Sequence, residues 1–276
     1  GTREIGWMFV QYKRITNLYE SGTLTGKGLS WGGALVRPEA TGYGAVFFLQ
    51  EMLKVQGRDV EGRTCVVSGA GNVAIHAIEK LQQLGGRVLA CSDSQGYVYD
   101  PDGIDLPTLR QVKEVERTTL QAYAGYRGGA VHHPRGNIWE VPTELALPCA
   151  TQNELAAADA RMLVANGCLA VAEGANMPTT PEGLEVLRAG GVLFGPGKAA
   201  NAGGVATSAL EMQQNAARDS WTFAHTEAKL AEIMSSIHEQ CAVTAEAYGR
   251  PGDYVLGANV AGFVRVADAM VALGLI

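Results

Sequence analysis

The loop at residues 69–74 carries the strongest chemical signal in the sequence. It reads Gly-Ala-Gly-Asn-Val-Ala, a G-x-G-x-x-A pattern set between an apolar run and a helical pattern. In such a loop the first glycine makes a tight turn, and the second lets a pyrophosphate approach the N–H groups at the start of a helix. The loop, with Gly69, Gly71 and Val73, therefore predicts a dinucleotide-binding site. An ordinary tight turn between a strand and a helix is the alternative interpretation.

The residues after the next apolar run bear on which dinucleotide is bound. Asp93 ends that run, and an acidic residue roughly 20 positions beyond the first glycine is expected to bind the ribose 2′-hydroxyl. A carboxylate alone favours NAD. A hydroxyl from Ser94 and an ammonium from Lys113 would instead suit the 2′-phosphate of NADP. These residues by themselves leave both cofactors open.

Alternating apolar and amphipathic segments predict the elements that position these residues. Continuous apolar runs indicate buried strands at 65–69, 88–93, 145–150, 169–176 and 192–198. Helical patterns lie between them at 41–56, 72–84, 105–124, 153–166 and 182–189. Further helical stretches lie at 4–20, 203–218, 222–248 and 254–273. The pattern predicts an α/β fold: a Rossmann-like, doubly wound, mostly parallel sheet flanked by helices, with a C-terminal helical segment.

Composition and charge argue against several classes of function. The chain has 276 residues and a formal net charge of −6, which is unlike a nucleic-acid binder. No apolar run reaches the roughly 18 residues that a membrane span needs, so no membrane association is expected. Five cysteines without a C-x-x-C pair predict reduced, buried thiols and a cytoplasmic location. The histidines show no H-E-x-x-H spacing, so we expect no metal.

Several long segments, in order along the whole chain, go beyond a generic dinucleotide-binding pattern. They include RPEATGYG (37–44), LPCATQNEL (147–155), VAEGANMPTT (171–180), GPGKAANAGGVATSALEMQQNAAR (195–218) and YVLGANVAGFVRVADAM (254–270). With these segments the sequence resembles the glutamate dehydrogenases, specifically the hexameric bacterial and fungal type that prefers NADP. Leucine, phenylalanine and valine dehydrogenases share the glycine loop but lack the long RPEATGYG and AANAGGVATS stretches in this form.

The resemblance implies an oxidoreductase that converts L-glutamate to 2-oxoglutarate and ammonium, and back, with NADP(H) preferred and NAD(H) possible. It places the 2′-phosphate on Ser94 and Lys113, although Glu116 stands at a neighbouring position that is basic in the family. It also implies cofactor contacts by residues at the ends of predicted strands and helices: Thr41, Asn72, Ala150, Thr151, Asn176 and Asn201. Asn201, Val205 and Ser208 match the wall that meets the amino-acid substrate.

The first residues bear on where the catalytic groups lie. Residues 1–6 match the end of a family segment, Asp-x-Gly-x-Gly-x-Arg-Glu-x-Gly. The resemblance therefore implies that the proton-transfer Asp and the catalytic Lys lie upstream of Gly1, so no catalytic residue is expected in this chain. We expect a hinge segment at 1–40, a dinucleotide-binding domain at 41–201 and helices at 202–276 that bridge back to a preceding domain. The alternatives are a stand-alone, non-catalytic NAD(P)-binding module and a related amino-acid dehydrogenase.

Overall fold

One seven-stranded sheet organises the chain, and the computed structural model describes residues 1–274. The strand order is β4-β3-β2-β1-β5-β6-β7. The strands are β1, Thr64–Val67; β2, Arg87–Asp93; β3, Gly96–Tyr99; β4, Val131–Pro134; β5, Leu145–Leu147; β6, Ala170–Ala172; and β7, Leu193–Gly195. The α-helices are α1, Thr2–Thr16; α2, Ala40–Lys54; α3, Asn72–Gln83; α4, Leu106–Arg110; α5, Leu120–Tyr126; α6, Ala157–Ala165; α7, Pro181–Ala189; α8, Gly197–Ala200; α9, Gly203–Ala217; α10, Phe223–Ala247; and α11, Tyr254–Leu273.

The five predicted strands are present and run parallel as β2, β1, β5, β6 and β7. All but β2 are shorter at their carboxyl ends than the apolar runs, because those runs continue into loops. Strand β1 has β2 on one side and β5 on the other, so the strand order reverses between β1 and β5. The carboxyl ends at such a reversal of strand order form the usual ligand crevice of an open α/β sheet. The predicted fold class is therefore confirmed, and the glycine loop after β1 lies at the crevice.

Two strands were not predicted. The chain turns back after β2 to form β3 and β4, which pair antiparallel with their neighbours and extend the sheet. Strand β4 has the sequence Val-His-His-Pro, which is neither continuously apolar nor alternating. It lies at the edge of the sheet, where a proline is tolerated because one side of the strand needs no ladder partner.

The predicted helix at 105–124 is wrong as a single element. Helix α4 continues into a π-helical turn, Gln111–Val115, and the chain then breaks before α5. Arg117 has a φ of 55°, a left-handed conformation that ends a right-handed helix. The break places Lys113 on the π-helical turn, beside the end of β2 rather than along a straight helix.

Glycines let helix α2 approach two other helices closely. A Cβ at Gly42 would lie 2.5 Å from the carbonyl oxygen of Val73, at the start of α3. A Cβ at Gly203 would overlap the carbonyl oxygen of Ala40, at the start of α2. These contacts bring the first turns of α2, α3 and α9 together beside the glycine loop. The motifs that contain ATGYG and AGG therefore have a packing role in addition to any ligand role.

The first and last helices leave apolar side chains exposed. Trp7 on α1 is 63% exposed, while Phe263 and Val271 on α11 are 72% and 85% exposed. Helix α11 is long and apolar enough to cross a membrane by length and composition, which for one such helix is weak evidence. All five cysteines are buried and free of disulfides, as predicted.

Candidate functional site

The glycine loop has the geometry that a bound pyrophosphate requires. Gly69 has a φ of 86°, and its N–H donates to Ser92 Oγ at 2.9 Å, which ties the loop to the end of β2. Gly71 precedes α3, and no side chain caps this helix terminus. A Cβ at Gly71 would meet no atom within 4 Å. The uncapped N–H groups of the first turn therefore face open space in which an anion fits.

A cavity of about 730 Å³ lies beside the glycine loop, at the carboxyl ends of the parallel strands. Eight of the predicted site residues line it: Thr41, Val73, Ala150, Thr151, Asn176, Asn201, Val205 and Ser208. They come from α2, α3, the loops after β5 and β6, the turn between α8 and α9, and α9 itself. The structure thus brings residues from distant parts of the sequence to one cavity, and the size of this cavity suits a small ligand together with part of a cofactor.

Two carboxylates, the half-buried Glu154 and the buried Glu173, hold the loops that rim this cavity, and the sequence analysis did not identify them. Glu154 accepts hydrogen bonds from the N–H groups of Ala150 and Thr151, at 3.0 and 3.3 Å. Glu173 accepts from the N–H groups of Thr179 and Gly197, at 3.1 and 2.6 Å. Burial raises the pKa of both carboxyl groups. Their role is to fix backbone positions, which no local motif indicates.

Asparagine side chains also join segments around the cavity and the glycine loop to one another. Asn201 Nδ2 donates to Asn176 Oδ1 at 2.8 Å and to the carbonyl oxygen of Ala175 at 3.2 Å. Asn72 Nδ2 donates to the carbonyl oxygen of Pro38 at 2.7 Å, so it links the start of α3 to the loop before α2. All three predicted asparagines therefore have structural partners, and two of them, Asn176 and Asn201, also line the cavity.

Helix α9 presents a polar and an apolar side chain to the cavity. Val205 and Ser208 both line it, as their spacing of one turn predicts. Ser208 Oγ donates to the carbonyl oxygen of Gly204 at 3.1 Å and accepts from Thr25 Oγ1 at 3.2 Å. The segment that carries Thr25 is fixed to α9 by an ion pair between Lys27 and Glu211. Its Nζ–Oε1 distance is 2.6 Å, and both side chains are fully buried.

Arg37 is a further cavity residue that the sequence analysis missed. It precedes Pro38 in the RPEATGYG segment and lines the cavity together with Thr41 and Ser208. Its Nε is buried and has no hydrogen-bond partner within residues 1–274. The preceding residue, Val36, has a φ of 70°, which is unusual for a β-branched side chain. A cation with an unpartnered donor, held by a strained backbone, is suited to an anionic ligand. Arg37 is the only cation in the RPEATGYG segment, and this was the signal in the sequence that could have identified it.

The residues predicted to bind the ribose 2′-hydroxyl or 2′-phosphate lie apart from the cavity, at or near the end of β2. Asp93 Oδ2 is 3.1 Å from the Lys113 ammonium and accepts from the N–H of Leu120 at 2.9 Å. Asp93 Oδ1 accepts from the N–H of Gln95 at 2.9 Å. Burial opposes ionisation, but the bonds from Gln95, Leu120 and Lys113 lower the pKa of Asp93 overall. Ser94 is exposed. An extended dinucleotide could reach from this turn across the glycine loop to the cavity.

Comparison with known proteins places the chain in a family. The family model described as Glutamate/Leucine/Phenylalanine/Valine dehydrogenase matches residues 32–274. A glutamate dehydrogenase of Bacteroides thetaiotaomicron is 50% identical over 283 residues, and an NADP-specific glutamate dehydrogenase of Escherichia coli is 51% identical over 278. Each alignment covers 100% of this chain but 62% of the relative. The chain thus spans less than two thirds of the length of these curated relatives.

Solved structures agree with this placement. The structure of a Plasmodium falciparum glutamate dehydrogenase superposes with a TM-score of 0.97 at 44% identity, and covers 100% of this chain and 60% of its own. A glutamate dehydrogenase of Peptoniphilus asaccharolyticus gives a TM-score of 0.79 at 26% identity. The chain thus shares its fold with these structures. The chain belongs to the glutamate/leucine/phenylalanine/valine dehydrogenase family.

Proposed function

We propose that this chain forms the cofactor-binding part and one substrate-binding wall of an NADP-dependent glutamate dehydrogenase. The whole protein would oxidatively deaminate L-glutamate to 2-oxoglutarate and ammonium, and catalyse the reverse reductive amination. NADP-specific glutamate dehydrogenases of Helicobacter pylori and Escherichia coli are 50% and 51% identical to it. Because the chain spans 62% of these relatives, the activity is assigned to the protein that contains it.

The cofactor proposal rests on the glycine loop and on the turn after β2. When bound, a nicotinamide cofactor supplies the acceptor or donor of the hydride. Gly69, Gly71 and the first turn of α3 would hold the pyrophosphate, since the helix terminus is uncapped and open. Ser94 and Lys113 would bind the 2′-phosphate, which makes NADP(H) the preferred cofactor and NAD(H) a possible one.

Further residues would orient the nicotinamide half of the cofactor. Thr41 would contact the nicotinamide. The loop residues Ala150, Thr151 and Asn176 would lie along its ribose, with Asn201 completing that rim through its hydrogen bond to Asn176. The carboxylates of Glu154 and Glu173 keep the backbone of these loops fixed. A rigid rim reduces the conformational freedom lost when the cofactor binds.

The substrate proposal rests on one observation, the presence of Arg37, Val205 and Ser208 in the same cavity. Arg37 carries a buried, unpartnered Nε. Its guanidinium can bind a carboxylate with charge-assisted hydrogen bonds. Ser208 adds a hydroxyl, and Val205 adds apolar surface for the methylene groups. A dicarboxylic amino acid such as L-glutamate matches this combination of groups better than a purely apolar amino acid does.

The remaining parts of the proposal concern groups beyond this chain. The catalytic Lys and the proton-transfer Asp are proposed to lie upstream of Gly1. We propose a hinge segment at 1–40, a dinucleotide-binding domain at 41–201, and bridging helices at 202–276. The exposed apolar faces of α1 and α11 support this arrangement, because a further domain or subunit would cover them. A cytoplasmic homo-oligomer, hexameric as in the family and without nucleic-acid or membrane association, completes the proposal.

The test is a turnover assay on the full reading frame that contains this chain. We expect glutamate-dependent reduction of NADP⁺, slower reduction of NAD⁺, and little activity with leucine, phenylalanine or valine. Preference for one of those apolar amino acids would make the protein a different member of the family. Cofactor binding without turnover of any amino acid would instead support a non-catalytic NAD(P)-binding module.

A further inference from the structure

The turn after β2 has little net positive charge from the residues predicted to bind the 2′-phosphate. The Lys113 ammonium lies 3.1 Å from Asp93 Oδ2, so the two charges largely cancel. Glu116 follows Lys113 by about one turn and adds a negative charge, and its carboxylate accepts a hydrogen bond from Tyr126 Oη at 2.9 Å. A phosphate monoester carries between one and two negative charges at neutral pH. A preference for NADP therefore requires a further cation near Ser94.

The loop after β4 places Arg135 beside this turn. The N–H of Arg135 donates to the carbonyl oxygen of Gln95 at 2.9 Å, and Gln95 directly follows Ser94. An arginine side chain extends roughly 6–7 Å beyond its Cα, as its bond lengths require. Arg135 is exposed, and within the described residues 1–274 its guanidinium has neither an ion pair nor a side-chain hydrogen bond. It is thus an uncompensated cation within reach of the Ser94 hydroxyl.

The backbone at Arg135 is one that glycine would adopt at lower cost. Its φ is 57°, in the left-handed region that disfavours residues with a Cβ. The surrounding turn is fixed, because Gly96 packs closely against the His133 carbonyl oxygen and the Tyr97 ring stacks on the His133 ring at 4.6 Å. A strained non-glycine residue in a rigid turn is where a functional reason for the side chain is to be sought.

We propose that Arg135 is a specificity-determining residue that binds the 2′-phosphate of NADP together with Ser94. Its guanidinium supplies the positive charge that the Lys113–Asp93 pair does not, and its planar array of donors suits phosphate oxygens. Neither the glycine loop nor the resemblance assigns a role to this position. The inference rests on the proposed NADP-dependent function and deepens it.

The test compares NADPH and NADH binding to the 276-residue chain by fluorescence titration, for the wild type, Arg135→Gly and Arg135→Gln. We expect both variants to bind NADPH about tenfold more weakly, because charge-assisted hydrogen bonds are lost, and NADH as before. Arg135→Lys should retain part of the preference. The melting temperature of Arg135→Gly should not fall, since glycine relieves the left-handed strain. Arg161→Gln removes the same charge from an exposed position on α6 and should leave both affinities unchanged.

Each other outcome overturns the inference in a recognisable way. If the Arg135 variants keep the wild-type ratio of NADPH to NADH affinity, Arg135 does not bind the 2′-phosphate, although the proposed cofactor function still holds. A loss of preference in Arg117→Gln but not in Arg135→Gln would assign the role to Arg117, which also has a left-handed backbone. Equal weakening of NADPH and NADH binding with a lower melting temperature would show a structural role. A wild type that prefers NADH, or binds neither cofactor, would defeat both this inference and the proposed function.

Discussion

The ammonium of Lys113 lies 3.1 Å from the carboxylate of Asp93, and both side chains are largely buried at the end of β2. Asp93 also accepts backbone hydrogen bonds from Gln95 and Leu120. The carboxylate that a ribose 2′-hydroxyl would need is therefore already occupied by groups of the protein. The pairing explains how a sequence can keep the acidic residue of an NAD-type loop and yet favour a phosphorylated cofactor.

Asp93→Asn tests this explanation. Removal of the carboxylate charge leaves Lys113 uncompensated, so NADPH should bind about three- to tenfold more tightly, which corresponds to ~1 kcal/mol of charge interaction. NADH affinity should stay the same. If Asp93 instead binds the ribose of NADH, the variant will lose NADH affinity and NADPH affinity will not change. Titration of the chain with each cofactor separates these results, and circular dichroism confirms that the variant is folded.

Arg37→Met should weaken the binding of dicarboxylate substrates in the full protein. The methionine keeps much of the apolar volume but removes the guanidinium, and the loss of its charge-assisted hydrogen bonds should raise KM for 2-oxoglutarate by about tenfold or more. Affinity for NADPH should change little, because Arg37 lies on the substrate side of the cavity.

The control for that experiment is Arg37→Lys, which retains the charge but not the planar pair of donors. It should show an intermediate KM, since lysine binds a carboxylate as a point charge. An unchanged KM in Arg37→Met would remove Arg37 from the substrate site. A parallel loss of NADPH binding would show that the variant disturbs the cofactor side as well.

Gly203→Ala should destabilise the chain through the contact between α9 and α2. The added Cβ would overlap the Ala40 carbonyl oxygen, and relieving that overlap requires the helices to separate, at a cost of roughly 1–3 kcal/mol. Urea denaturation measures the change. The matched control is Gly262→Ala on the exposed face of α11, where a Cβ meets no atom. Higher helix propensity should stabilise that variant by up to about 1 kcal/mol. Equal effects at both sites would contradict the close-packing account.

His238 should make the stability of the C-terminal helices depend on pH. Its Nε2 lies 3.1 Å from Tyr254 Oη, and burial lowers its pKa despite the opposing effect of Glu51 and Glu239. The folded state therefore binds a proton less readily than the unfolded state. Above the ordinary histidine pKa near 6.5 both states are neutral. As the pH falls below that value, the unfolded state gains the proton first and stability decreases.

Thermal unfolding at a series of pH values between neutrality and about pH 5 checks this prediction. His238→Gln should flatten the decrease on acidification. His225→Gln, at an exposed position near the start of the same helix, should leave it as in the wild type. A decrease of the same size in all three proteins would assign the pH dependence to other groups.

The sequence predicted the parts of the fold that rest on continuous apolar runs and helical periodicity. The five parallel strands and the helices α2, α3, α7, α9, α10 and α11 follow from those patterns. Strands β3 and β4 did not, because an edge strand such as Val131–Pro134 needs no buried alternation. The break after the π-helical turn depends on one left-handed residue, Arg117, whose conformation no periodic pattern indicates.

Some residues of the candidate site could likewise be predicted from the sequence, and others could not. The glycine loop could be predicted from the sequence because its chemistry depends on adjacent residues. Val205 and Ser208 would have been read as ordinary helix residues without the family resemblance, and the structure places them beside Thr41 in one cavity. Arg37, Glu154 and Glu173 were missed, because their importance comes from their surroundings in the folded chain and from bonds to backbone N–H groups, which no sequence pattern indicates. The pairing of Lys113 with Asp93 was likewise a consequence of the fold around the π-helical turn.

The central claim is that the glycine loop and the turn after β2 bind NADPH in preference to NADH. The most direct measurement is a fluorescence titration of the chain with both cofactors, for the wild type and for Gly71→Val. A Cβ at Gly71 would meet no atom of the described residues within 4 Å, so valine there should leave the fold intact while its methyl groups occupy the space of the pyrophosphate. We predict saturable wild-type binding that is tighter for NADPH and lost in Gly71→Val. Tighter NADH binding, no binding by a chain that is folded by circular dichroism, or full binding by Gly71→Val would contradict the account.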